Sequence, residues 1–415
     1  MKLVFWLSLA GILYSYAVYP VAIWILSRVW PRPWKSAPMT QGVSIVLAVH
    51  NGIRLLPAKI HQLLSLDYPN LHEVIVVSDG SSDGTAEFLS SPHEPRLKTI
   101  VLREHSGKAV ALNAGVAAAT GEIVVFQDVR PELAPGAIQQ LMTNFADPSV
   151  GCVAGELMLL EKGNGAQAEA VSGLYWRYEK WIRKSEACFD SPVGVSGCFY
   201  AIRRELFVRQ PEGLILDDVF QPLSIIRKGY RSVFDPQAHI YDALPKNVEG
   251  EFHRKVRTLA GNFQLFRLAP WTLTPANRVF FQLFSHKVMR LVVPYLLILL
   301  LVSSAVLSTQ SRVFAVIAAV EAIGLMGALL SLRVQIPVLG RVLSPLTSLL
   351  VLNAAAVAGL STFLFTRGPL WKIWNSDRTL ATVHPPDPEN SLPREDAKSK
   401  VAVPVGDGTS CIDSH

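Results

Sequence analysis

Disulfide and zinc frameworks are missing from this chain. Its 415 residues hold only Cys152, Cys188, Cys198 and Cys411, with no Cys-x-x-Cys pair and no metal-ligand spacing. A reduced compartment is therefore the expectation. Charge is sparse too: Asp, Glu, Lys and Arg make up 17% of the chain against 50% hydrophobic residues. That balance excludes a wholly soluble protein, and the charge that remains excludes a wholly membrane-buried one. No internal repeat occurs, and no small-residue cleavage site follows the first apolar run.

A basic excess of +6 is present, and its placement decides what it means. Arg28, Arg32, Lys35, His286, Lys287 and Arg290 flank apolar runs, so the excess marks membrane boundaries rather than a nucleic-acid surface. Phe5 to Val29 is apolar over about 25 positions, long enough for a retained transmembrane helix, with Pro20 as a candidate kink. The positive charge after this helix puts the N-terminus outside and the following chain in the cytoplasm. Leu291 to Ser308, Val313 to Leu332 and Leu343 to Phe365 are each about long enough to cross a bilayer core. Four crossings would return the C-terminus to the external side. Glu321 falls inside one of these spans, where a charge costs at least ~2.5 kcal/mol at a helix centre. It is expected to face protein or water, with Asn353 as a candidate partner.

The expected organisation is a transmembrane helix over 1–30, a proline-rich linker over 31–42, a soluble domain over 43–270 and an interfacial segment over 271–290. Three transmembrane helices over 291–366 and a polar, disordered tail over 367–415 complete it. Within the soluble domain, Val43 to Val49, Val74 to Asp79 and Ile123 to Asp128 are short apolar runs of the kind buried on both faces of a parallel sheet. The second and third end in a carboxylate, Asp79 and Asp128. Acidic groups thus gather at the carboxyl edge of an α/β sheet, where such sheets bind ligands.

Taken alone, each motif has two readings. Asp79-Gly-Ser-Ser-Asp83-Gly-Thr85 is either a nucleotide contact or a turn with a helix cap. Lys108, at a helix mouth, is either a phosphate contact or a surface charge. Asp217-Asp218 is either a base for an acceptor hydroxyl or an N-terminal helix cap. The basic helix carrying Arg254 and Arg257 either neutralises a leaving diphosphate or touches anionic headgroups.

Their order carries more weight. Val-Ser-Ile-Val, Ser-Asp-Gly-Ser-Ser-Asp-Gly-Thr, Gly-Lys-Ala-Val-Ala-Leu-Asn-Ala-Gly, Val-Phe-Gln-Asp, Leu-Asp-Asp-Val and the arginine helix occur between Val43 and Gly261. In this sequence they resemble the GT-A glycosyltransferases of family 2. The flanking helices are similar to those of membrane-embedded members making bacterial exopolysaccharides, among them hyaluronan, cellulose and poly-N-acetylglucosamine synthases.

The resemblance implies a Rossmann-like GT-A domain plus transmembrane α-helices in a bacterial inner membrane, with the catalytic domain cytoplasmic. It implies an inverting transfer from a nucleotide sugar, a UDP-sugar, to a saccharide or lipid-linked acceptor, with polysaccharide export machinery as a partner class and no nucleic acid. By position it makes Asp79 the uracil contact, Lys108 a nucleotide contact, Asp128 the first acid of Asp-x-Asp and holder of a divalent metal (Mg or Mn), and Asp218 the general base beside Asp217. Arg254 and Arg257 would meet the diphosphate. Two positions depart from the pattern. Arg130 stands where the second acid is usual, and is assigned to donor or acceptor. The Gln-x-x-Arg-Trp of processive synthases reads Arg254-Lys-Val-Arg257-Thr258. The alternatives are transfer of one sugar to a polyprenyl phosphate, or an inactive nucleotide-binding subunit of a secretion complex.

Overall fold

The computed structural model describes residues 1–91, 94–160, 166–243, 248–333 and 337–373. The expected disordered tail falls, from residue 374 on, outside the described residues. Helix α1 (Lys2–Val29) leads to β1 (Val43–Val49), α2 (Leu56–Leu64), β2 (Leu71–Asp79), α3 (Thr85–Ser90), β3 (Leu97–Leu102), α4 (Lys108–Ala118) and β4 (Ile123–Gln127). Then come β5 (Glu132–Leu133), α5 (Ala137–Thr143), β6 (Val150–Leu160), α6 (Ala166–Phe189), β7 (Phe199–Arg203), α7 (Asp217–Arg227), β8 (Arg231–Ala243) and α8 (Val248–Leu268). The apolar helices α9 (Phe280–Ser308), α10 (Arg312–Arg333) and α11 (Pro337–Phe365) follow.

One eight-stranded sheet in the order β3-β2-β1-β4-β7-β6-β8-β5 forms the core. Strands β3, β2, β1 and β4 are parallel, as the apolar runs predict. Ile45, Val46 and Leu47 of β1 are fully buried, and burying each such side chain stabilises by about 1.5–3 kcal/mol. The chain winds from β1 outward to β2 and β3, then returns to place β4 on the other side of β1. The crevice beyond β1 and β4 is therefore the topological switch point, where open sheets of this kind take ligands. Beyond β4 the sheet is mixed, since β7 pairs antiparallel with both β4 and β6. The sequence reading does not contain β8, the longest strand. Pro236 interrupts its pattern, and it buries two acids, Asp235 and Asp242.

Among the described residues, four helices are long and apolar enough to cross a membrane. In α1, Tyr14–Val18 opens into a π-helical turn just before Pro20, because proline lacks an N–H and its ring crowds the carbonyl one turn back. A second π-helical turn, Phe284–Val288, lies in α9. The two meet where the Tyr14 hydroxyl and Ser285 Oγ stand 2.7 Å apart. Glu321 faces protein, as expected, but its partner differs: Ser304 of α9 donates to it, while Asn353 donates to the Tyr16 hydroxyl and to Leu349 O.

The end of α11 departs from the four-crossing expectation. A Cβ on Gly359 would lie 3.0 Å from Ala260 N, Phe363 stacks on Phe263 with centroids 5.9 Å apart, and Arg267 lies over the same Phe363 ring. Past the helix, Leu370 is buried and Trp371 packs beside it in the cluster around Leu214 and Leu216. The chain after Phe365 thus returns to the soluble domain instead of leaving on the far face. Hydropathy measures length and apolarity, and α11 has both; it does not tell a protein wall from a lipid one.

Candidate active site

At the carboxyl end of β2, Asp79 is 3% exposed and turned inward. Its Oδ1 accepts from Ser106 N at 2.7 Å and its Oδ2 from Gly107 N at 2.8 Å, with His105 Nδ1 also 2.8 Å from Oδ2. The expected uracil contact is thus, in this structure, the clamp that fixes the loop opening α4. Gly80, at φ +60°, is forced by the same clamp, since a Cβ there would lie 2.2 Å from His105 N. His50, which follows β1, stacks on His105 with centroids 3.7 Å apart. Trp371 stands edge-on to His105 at 4.6 Å and roofs Gly107 and Gly213. Asp83 forms the turn but not the cap: the N-cap of α3 is Gly84, with no side-chain cap bond, while Asp83 Oδ1 accepts from Thr85 N at 3.1 Å and its Oδ2 from Ile53 N at 3.0 Å.

The clamp delivers Lys108 to the centre of the crevice. Its ammonium lies 3.1 Å from Asp128 Oδ1 and 3.4 Å from Asp217 Oδ2, and donates to Gly197 O. Burial would lower its pKa, but Asp128, Asp217 and Asp218 together outweigh burial and hold it well above the usual lysine value. Lys108 therefore stays charged, as the shared counter-ion of three aspartates from two parts of the chain.

Asp217 and Asp218 occupy the first turn of α7, where the helix dipole favours carboxylates. Their surroundings differ. Asp217 is 4% exposed and faces Lys108 and the Tyr200 hydroxyl. Asp218 borders a cavity of about 320 Å³. Burial and then the adjacent Asp217 push Asp218 up to about 6, against the opposing pull of Lys108. A Cβ on Gly197 would stand 3.1 Å from Asp218 Cβ, so the small residue there keeps the acid's approach open.

The structure separates the arginines. Arg254 lines the cavity with Asp218 and pairs with Glu251; Arg257 is exposed and outside the lining. Arg130, expected at donor or acceptor, is held in a fork by Asp242: Nε donates to Asp242 Oδ1 at 2.8 Å and Nη2 to Oδ2 at 2.6 Å. Asp242 is 7% exposed, and a buried carboxylate recruits a planar fork strongly. β8 was not foreseen, so this partner could not be.

Among the described residues no group of three or more His, Cys, Asp or Glu is arranged to hold a metal. Asp128 nevertheless fits as a single protein ligand: its side chain is 42% exposed, and magnesium commonly takes only one or two carboxylates.

Sequence reasoning missed a buried charged group on the membrane side of the cavity. His286 of α9 bridges Glu186 at 2.8 Å and Glu179 at 3.1 Å, Arg290 pairs with Glu179, and the Tyr19 hydroxyl donates to Glu186. These contacts tie α6 of the domain to α1 and α9. His286 and Arg290 were visible as flanking charge, but their partners lie 100 or more residues away. Trp371 was missed because it was assigned to the tail; the Leu370-Trp371 pair after an apolar helix is the signal that could have found it.

Residues 44–209 match the family model for Glycosyl transferase family 2. The poly-beta-1,6-N-acetyl-D-glucosamine synthase of Staphylococcus aureus (strain COL) is 24% identical over 267 residues, covering 60% of this chain and 64% of that protein. The synthase of the same name from Staphylococcus epidermidis is 24% identical over 246 residues, covering 58% of this chain and 59% of that one. The chain thus spans a little under two thirds of the length of these relatives. Among solved structures, a mannosyltransferase from Pyrobaculum calidifontis in complex with GDP-Man and Mn2+ superposes with a TM-score of 0.66 at 23% identity, covering 88% of this chain and all of that one. The family model, the sheet order and that superposition agree: residues 44–209 are similar to family 2 glycosyltransferases, and the domain that holds them has the GT-A fold and is joined to helices long and apolar enough to span a membrane.

Proposed function

We propose that the chain moves a sugar, with inversion, from a UDP-sugar to an acceptor hydroxyl at the cytoplasmic face of a membrane, in the synthesis of a cell-surface glycan. The observation that carries this reading is the position of Asp218. It is a carboxylate with a pKa raised to about 6, standing between the Lys108 cluster and a cavity walled by the apolar helix α11. The poly-N-acetylglucosamine synthases among the relatives support a saccharide product.

In this mechanism the donor lies along the carboxyl edge of β1, β2 and β4, beside the loop that Asp79 fixes. The acceptor oxygen attacks the sugar C1 from the cavity side. As the new C–O bond forms, Asp218 takes the hydroxyl proton, and the bond from C1 to the diphosphate breaks with its electron pair leaving on UDP. A positioned base of this kind contributes ~10² to 10⁴-fold. Lys108 supplies counter-charge to the leaving group, already oriented and without solvent reorganisation. A divalent ion held by Asp128 and the donor's own phosphate oxygens would add to that charge. Asp217 keeps Lys108 in place.

Incubating the purified protein with a panel of nucleotide sugars and analysing the products by mass is the test. Transfer from a UDP-sugar supports the reading. Turnover of no donor, by protein that still binds UDP, would leave only the nucleotide-binding subunit.

A further inference from the structure

Asp218 belongs to α7 of the soluble domain, yet part of the cavity it borders is built by a long apolar helix. His286 and Lys287 of α9 line that cavity with Asp218, as do Glu179, Arg183 and Glu186 of α6. The chain around Lys287 is locked on both sides. One residue before it, the His286 side chain is 2% exposed and sits between Glu186 at 2.8 Å and Glu179 at 3.1 Å. Three residues after it, Arg290 pairs with the other oxygen of Glu179. Buried carboxylates are costly to leave without partners, so residues 286 and 290 have little freedom to leave α6. Lys287 lies between them in the π-helical turn Phe284–Val288, and single turns of this kind inside α-helices are frequent at functional sites.

The charges facing Asp218 come from four elements. Asp217 stands beside it on α7, Lys108 reaches it from α4, Lys287 from α9 and Arg183 from α6. Burial and then Asp217 push its carboxyl up to about 6, against the pull of Lys108, Lys287 and Arg183. Lys108 is shared with Asp128 and Asp217, and Arg183 lies over the Trp176 ring at 5.1 Å. On α8, Glu251 pairs with Arg254 and lies 3.7 Å from Lys255. Lys287 itself faces Glu179, Arg183, Asp218 and Arg290. Glu179 is already engaged by His286 and Arg290, which leaves Asp218 as the carboxylate that Lys287 serves.

We propose, building on Asp218 as the base, that Lys287 is its positioning residue: the ammonium is the membrane-side counter-charge of the carboxylate, and the pairing of His286 and Arg290 with α6 holds the ammonium in place. The apolar helix α9 therefore completes the catalytic centre. The base is ready to take a proton while α9 is docked on α6, and loses its counter-charge when that docking loosens.

The test follows UDP release by the full chain in lipid nanodiscs over pH 5–8, with the UDP-sugar and acceptor found by product analysis. Lys287→Met should move the acidic limb of the pH–rate profile upward by about one pH unit, the order by which a nearby opposite charge favours an ionised carboxylate. The rate should then fall ~fivefold at pH 6 and far less at pH 8. Lys287→Gln should do the same and Lys287→Arg should restore the wild-type limb, with the KM for donor unmoved in all three. His286→Gln should shift the limb in the same direction, and should add nothing in the Lys287→Met background, because its effect passes through Lys287. An unmoved limb in both Lys287→Met and Lys287→Gln would overturn the proposal, as would a loss equal at every pH, which marks a structural role. A His286→Gln shift undiminished in the Lys287→Met background would overturn it too, since α9 would then reach Asp218 by another route. Failure of the underlying reading looks different: Asp218→Asn would keep full turnover.

Discussion

Lys108 Nζ lies 3.1 Å from Asp128 Oδ1, so the acid that ends β4 is met by a lysine from the mouth of α4. The same ammonium reaches Asp217 at 3.4 Å, and so joins the parallel half of the sheet to the first turn of α7. Charge on the leaving diphosphate is thereby met by a fixed cation that also lowers the Asp218 pKa. Lys108→Met should reduce kcat by ~10² or more, as loss of a preorganised charge at a developing anion does. It should also move the acidic limb of the pH–rate profile upward, because the group opposing burial and Asp217 is gone. Steady-state kinetics over pH 5–8 check both; an unmoved limb would detach Lys108 from the base.

Asp218→Asn should leave UDP binding and the fold intact and lower turnover by ~10² or more. The wild-type pH dependence has a definite sign. The base must be ionised, so with its pKa raised to about 6 activity should rise as pH climbs through about 6 and then level off. The raised value belongs to the Asp217–Asp218 pair as it titrates together. Full turnover by Asp218→Asn with loss in Asp217→Asn would reverse the assignment within the pair.

Arg130→Asp removes both arms of the fork on Asp242 and sets a second acid beside it. Arg130 is partly exposed, which tempers the loss, so a destabilisation of about 1–3 kcal/mol is expected, read as a lower melting temperature. Titrating magnesium or manganese into the same variant tests whether a second acid beside Asp128 strengthens metal dependence. An unchanged melting temperature would show that the Asp242 pairing is not maintained.

Trp371→Ala should raise the KM for donor several-fold while changing kcat little, because Trp371 touches His105 and Gly107 of the clamped loop and none of the acids around Lys108. Isothermal titration with UDP is the direct check, and unaltered affinity would leave Trp371 a packing residue only. The same segment fixes an expectation for topology. A reporter after Phe365 should lie on the side of the soluble domain, with the N-terminus on the other. A reporter there reading the opposite side from one at Ser91 would contradict the contacts of Trp371.

The parallel half of the sheet was legible because β1, β2 and β4 are buried on both faces, and such strands read as unbroken apolar runs ending in turn residues. The acids at their ends were legible for the same reason. What each acid does was not. Asp79 and Lys108 are only 29 positions apart, yet the loop clamp between them appears only when backbone N–H groups converge on a carboxylate. Arg130 finds Asp242 across 112 residues, on a strand that Pro236 disguises. The end of α11 shows the limit most plainly: its apolar residues meet α8, a helix whose own pattern gives no sign of that partner.

The most direct measurement is the anomeric configuration of the product formed from an isotopically labelled UDP-α-sugar by the purified chain in nanodiscs, followed by NMR for wild type and Asp218→Asn. A β-linked product from wild type, formed at least about a hundredfold more slowly by Asp218→Asn, is the result predicted here. An α-linked product, or a β-linked one formed at the wild-type rate by Asp218→Asn, would contradict direct displacement with Asp218 as base.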